Sequence, residues 1–125
     1  MFTLSKEMLD AGRLVIEDLD KRGEEVDAAL WFLFDDPRSW KLMLSLPKAS
    51  RKGPREAYKV IQKSMKKLGV TAFGLETIAV ARLDAPLIRL LRSAIKTGKA
   101  IGSIRFTSNV INGVSIEDAY IYRFM

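Results

Sequence analysis

Ile104-Arg105-Phe106-Thr107-Ser108-Asn109-Val110-Ile111-Asn112-Gly113-Val114-Ser115-Ile116-Glu117-Asp118-Ala119-Tyr120-Ile121-Tyr122-Arg123-Phe124 sets two β-prone runs on either side of Asn-Gly. Asn-Gly between alternating apolar segments is the strongest short-range signal for a two-residue hairpin turn. The expected strands are Ile101–Ile111 and Val114–Phe124. With the turn at 112–113, Arg105 opposes Tyr120, Thr107 opposes Asp118 and Ser103 opposes Tyr122. Successive strand residues point to opposite faces, so these polar and aromatic side chains share one face. Ile104, Phe106, Val110, Ala119 and Ile121 then form the other, as core.

Working outward, Ala28–Phe34 and Trp40–Leu46 are a second pair of β-prone runs, joined by Asp35-Asp36-Pro37-Arg38-Ser39. The linker reads as a five-residue turn in which the aspartates accept hydrogen bonds. A register with Phe34 opposite Trp40 makes one face wholly apolar (Ala28, Leu30, Phe32, Phe34, Trp40, Leu42, Leu44, Leu46). The other shows Ala29, Trp31, Leu33, Lys41, Met43 and Ser45. Three helices complete the pattern. Leu4–Lys21 places Leu4, Met8, Ala11, Val15 and Leu19 at helical spacing, and Gly23 follows. Gly53-Pro54 opens a second helix that runs to Leu68 before Gly69. Asp84 caps a third, Ala85–Thr97, with a strand over Leu75–Leu83 before it. The order is α-β-β-α-β-α-β-β, a single α+β domain with a five-stranded mixed sheet and helices mainly on one face. Right-handed crossovers place the second and third helices on the same side.

One sheet face is then open and amphipathic. Trp31, Met43, Arg105, Thr107, Asp118, Tyr120 and Tyr122 are its candidate ligand or interface residues. Trp, Tyr, Met and Arg on a surface match the composition of protein–protein interface cores, and a small domain hides such a face by pairing with a second copy. Two other partners suit it: an anionic small molecule held by Arg105, and nucleic-acid bases stacked on the rings. In a plainer arrangement Arg105 pairs with Asp118 and the first helix covers the rest. A second candidate is the basic segment around the second helix's start: Lys48, Arg51, Lys52 and Arg55 as anion ligands, with Arg55, Lys59, Lys63 and Lys66 continuing the charge along one stripe.

The 125 residues are 48% hydrophobic and 29% charged, with a net charge of +6. That balance fits a globular domain rather than a disordered chain. Residues 1–36 carry ten acids and four bases, a balance of −6, while residues 37–125 carry five and seventeen, a balance of +12. Either the acidic third lies against the basic body or the basic surface is kept for an anionic partner. No apolar run approaches the ~20 residues that span a bilayer, and the N-terminal segment Met1–Glu7 has no signal-peptide core, so a cytoplasmic protein off the membrane is expected. There is no histidine and no cysteine. The commonest general base and the commonest metal ligands are therefore missing. Glu117 and Asp118 are strand neighbours that point apart, and Gly98-Lys99-Ala100-Ile101-Gly102 leads into a strand rather than a helix, so it is no phosphate loop. No catalytic residue, metal or cofactor is nominated.

Lys-Gly-Pro-Arg-Glu-Ala-Tyr (52–58) after the Trp40–Leu46 strand, together with the C-terminal ribbon, resembles small bacterial proteins that carry no assigned activity. The likeness covers most of the chain from Leu30 onward and implies a stand-alone bacterial domain. The expectation taken forward is a self-associating interaction module. Nucleic-acid binding is the alternative, and a metal-free enzyme or binder of an anionic small molecule is the second alternative.

Overall fold

The computed structural model describes residues 3–35 and 37–125. Met1 and Phe2 of the N-terminal segment, and Asp36 of the first turn, lie outside them. Helix α1 spans Lys6–Lys21. Ser5 begins it: its hydroxyl accepts from the Met8 amide at 3.1 Å, satisfying one of the first turn's spare donors. Ala11, Val15, Ile16 and Leu19 form its buried stripe. Strands β1 (Ala28–Asp35) and β2 (Arg38–Ser45) follow, then the short helix α2 (Pro47–Ser50) and α3 (Pro54–Leu68). Gly69 ends α3 in the left-handed region, φ 65°, which a residue without Cβ adopts at no steric cost. A 3₁₀ turn at Leu75–Thr77 leads into β3 (Ile78–Val80); then come α4 (Pro86–Ala94), β4 (Ile104–Ile111) and β5 (Val114–Phe124).

The sheet order is β3-β2-β1-β5-β4, with β2–β3 parallel and the other three pairs antiparallel among the described residues. This is the expected α+β domain with a five-stranded mixed sheet, and α1, α2 and α3 pack on one face. There Val15, Ile16, Leu19, Ala49, Ala57 and Ile61 join Trp31, Leu42, Leu44 and Tyr122 in one core. Helix α4 departs from the expectation. Its Ile88 and Leu91 pack on Leu30, Met43, Ala119 and Ile121, on the opposite face. The reason lies in strand direction. The strand pairings make β4 run against β3, so α4 does not join parallel strands and the handedness rule does not constrain it.

Three boundaries also differ. The third strand is Ile78–Val80 rather than Leu75–Leu83, α4 stops at Ala94, and β4 starts at Ile104, so Ser103 has no ladder partner. Asp84 does not cap α4: its carboxylate is held by the Arg82 guanidinium at 2.9 and 3.0 Å, and Ala85 takes the cap position. Short β3 is tied from outside the sheet by Tyr58 of α3, whose hydroxyl accepts from the Val80 amide at 3.1 Å. Tyr58→Phe is expected to lower overall stability by only about 1 kcal/mol, the net worth of one hydrogen bond. It should nonetheless speed amide exchange at Val80 well beyond that at Leu44; unchanged Val80 protection would contradict this role.

The first hairpin has a tighter turn than the five residues expected. Asp35 pairs with Arg38 and Leu33 with Trp40, leaving two positions between the strands. A one-residue shift moves a whole strand's side chains to the other face. Trp40, Leu42 and Leu44 therefore join Ala29, Trp31 and Leu33 beneath α1 and α3, while Met43 faces α4.

Candidate interaction site

The C-terminal ribbon has the expected register. Arg105 opposes Tyr120, Thr107 opposes Asp118, and Asn112 (φ 48°) and Gly113 (φ 78°) form the turn. One feature of it was not legible in the residue alternation. Ser108 adopts φ 51° and neither it nor Glu117 is paired, although the ladder resumes in the same register at Asn109–Ile116. Across this kink the alternation inverts. Phe106 and Ala119 belong to the core under α4, and so do Ile111 and Ile116, which strict alternation would place on the other side. Val110, expected as core, is 68% exposed.

The seven residues read as one open face are divided by the structure. β1 pairs with β5 so that Trp31 stands beside Tyr120, which puts the ribbon's polar face under α1. Trp31 and Tyr122 are buried, with Trp31 Nε1 donating to Tyr122 Oη at 3.0 Å and that hydroxyl donating to the Leu9 carbonyl at 2.6 Å. Burial pushes the Tyr122 phenol above its ordinary range, which keeps it a neutral donor. Tyr120 is half-buried, its ring edge-on to Tyr122. Met43 is buried against the α4 layer. The open amphipathic face is thus corrected: helices roof both sides of the sheet.

Arg105, Thr107 and Asp118 remain accessible where α1 begins. They line an open groove of about 350 Å³ with Thr3, Leu4, Trp40 and Glu117. Arg105 donates twice to Asp118, Nε to Oδ1 at 2.6 Å and Nη2 to Oδ2 at 2.7 Å, and its guanidinium lies 5.7 Å from the Trp40 ring centroid. Arg38 bridges Glu117 beside it. These pairings raise both arginines' affinity for their protons and lower that of Glu117. The groove's cations are therefore neutralised within the chain, as in the plainer arrangement. A larger depression of about 570 Å³ has Asp20, Glu24, Glu25 and Asp27 on its walls with Lys99 and Arg123. Buried Arg123 is closed off by Asp20 at 2.8 and 3.0 Å and by the Val26 carbonyl at 3.1 Å. With Asp18 on Lys67, Asp20 on Arg123 sets part of the acidic first third against the basic body.

The four anion-ligand candidates do not converge. Lys48 reaches back to the Gly23 carbonyl at 3.2 Å, while Arg51 and Lys52 stand exposed after α2, and Arg55 lies in the first turn of α3. The longer stripe holds together better. Arg55, Lys59, Lys63 and Lys66 are all exposed, and Ala57, Ile61, Ser64 and Met65 are buried on the opposite side. Among the described residues no aromatic ring is fully exposed. No group of acidic residues there is arranged to hold a metal ion, and no helix is long and apolar enough to cross a membrane. Comparison with protein-family models, curated proteins and solved structures finds no match to this chain.

Proposed function

We propose that this domain is an interaction module that pairs with a second copy of itself through β4. The observation that carries the reading is an uncovered eight-residue edge. Among the described residues β4 pairs only with β5, and its outer row of backbone donors and acceptors faces no other strand. The opposite edge, β3, is three residues long. Long unprotected edges are templates for another strand, and proteins that avoid such pairing shield them with charge. β4 has one charged residue, Arg105, already neutralised by Asp118.

Self-pairing also satisfies the faces. About a twofold axis between Thr107 and Ser108, antiparallel β4 strands bring Ile104 opposite Ile111 of the second copy and Arg105 opposite its Val110. Ile104 and Ile111 both belong to the α4-side cluster, and their sides agree because the Ser108 kink inverts the alternation between them. Exposed Val110 gains the aliphatic stem of Arg105 as cover. The test is mass by light scattering at tens of micromolar. The native chain is expected to run as a dimer. Thr107→Lys, which sets two cations near the axis, is expected to run as a folded monomer. A monomeric native chain, or a dimer indifferent to the substitution, would overturn the reading.

A further inference from the structure

The strongest charge asymmetry of the molecule lies on α3, far from the β4 edge in the strand order. Residues 37–75 contain ten bases and a single acid, Glu56. Arg55, Lys59, Lys63 and Lys66 follow one another by four, four and three residues, which confines them to one stripe about 80° wide and about 16 Å long. Lys59 has Glu56 at 3.5 Å, and among the described residues Arg55, Lys63 and Lys66 have no acidic partner. Arg51 and Lys52 are exposed just before the helix start. Asp18 of α1 reaches Ser64 and Lys67 on the inner side of α3, not the outer row.

We infer that this stripe binds the sugar–phosphate backbone of a nucleic-acid duplex without regard to sequence. Three features select that partner. A straight row of cations complements a rod whose charge repeats about every 1.7 Å of axis, counting both strands. Ala57, Ile61 and Met65 of α3 are turned inward and Val60 is half-buried, so no large apolar side chain of the helix stands fully exposed to enter a lipid surface. And single strands are gripped by stacking their bases on open ring faces, and among the described residues no aromatic ring is fully exposed. The contact is one of phosphate positioning rather than base reading: the row is lysine apart from Arg55 and Arg51 at its end, and Gln62 on its flank is the single planar amide of α3.

Four to six cations on phosphates release a matching number of counterions, so log Kobs should fall with log salt with a slope of about −4 to −5. The experiment uses the full chain and a fluorescein-labelled 20-base-pair DNA, followed by anisotropy between 25 and 200 mM NaCl. Lys59→Ala/Lys63→Ala removes two exposed contacts and should make the slope shallower by about 2, weakening binding roughly ten-fold or more at 100 mM salt, with an unchanged thermal unfolding curve. Lys96→Ala/Lys99→Ala removes the same charge elsewhere and should leave the slope as it was. Equal affinity for a scrambled duplex completes the expected result. No binding at 25 mM salt, equal effects of the two double variants, tighter binding to the single strand, or tighter binding to phosphatidylserine vesicles would each overturn the inference. None of these outcomes depends on the β4 pairing, because Thr107→Lys should retain the slope measured for one stripe.

Discussion

Gly12→Ala is expected to lower the unfolding free energy by about 2 kcal/mol, although the substitution favours the helix locally. In an exposed helix interior alanine is better than glycine by up to about 1 kcal/mol. Gly12 is instead the point where α1 crosses Tyr122. A Cβ there would lie 2.5 Å from Tyr122 Oη and 3.1 Å from Trp31 Nε1. Neither ring has room to retreat, since both are buried and joined by a hydrogen bond, with the same hydroxyl fixed to the Leu9 carbonyl. The chain must therefore lift α1 or break the pair. Overpacking alone costs about 1–3 kcal/mol, and a buried indole N–H left without an acceptor costs a comparable amount. These costs outweigh the gain in propensity. Urea unfolding with tryptophan fluorescence measures the loss, and near-ultraviolet circular dichroism should show the altered Trp31 environment. A variant as stable as the native chain would mean that α1 does not lie on Tyr122.

That contact shows where the sequence was readable and where it was not. The Asn112-Gly113 turn determined the C-terminal register because a tight turn and strict alternation leave one solution. Helix ends were legible where caps are chemical, at Pro54 and Gly69. What alternation does not encode is which sheet face receives a helix when both faces carry large apolar residues. Trp31, Tyr120 and Tyr122 have polar tips that suit a wet surface, and they suit equally well a buried surface with one partner for each tip. The Trp31–Tyr122–Leu9 chain supplies partners for Trp31 and Tyr122, while Tyr120 stays half-buried, and no spacing in the sequence pairs residues 91 apart. The signal available was Gly12, a small residue on the apolar side of a helix, which marks a close approach. The first hairpin failed by one residue for a local reason: Asp35-Asp36-Pro37-Arg38-Ser39 contains turn formers at four of its five positions, so composition alone did not choose the loop length. The Ser108 kink carried no signature at all, because serine is an uncommon choice for a left-handed residue.

Asp18 carries the second large effect, and it is visible as a pH dependence. Its carboxylate is buried between α1 and α3, accepting from Ser64 Oγ at 2.6 Å, Arg22 Nε at 2.7 Å and Lys67 Nζ at 3.0 Å. The Ser64 hydrogen bond, then those from Arg22 and Lys67, hold it well below the usual carboxylate range, against the opposing effect of burial. A carboxylate whose folded pKa is depressed stabilises the fold fully above its unfolded value, and loses that contribution as pH falls toward the folded one. The window therefore opens below about pH 4. Asp18→Asn keeps the shape but removes the charge and turns one acceptor into a donor facing Lys67 or Ser64. Because Lys67 and Arg22 are partly solvated, the cost at pH 7 should be nearer about 2 kcal/mol than the 3–5 of a fully buried broken pair. The difference between native and variant should be constant from pH 7 to about pH 5 and should shrink steadily below pH 4, where Asp18 of the unfolded native chain takes up a proton that the folded carboxylate still refuses. Denaturant unfolding of both proteins across that range tests it. A difference that stays constant to pH 2 would show that Asp18 acts through shape alone, and that α1 is joined to the basic helix without its charge.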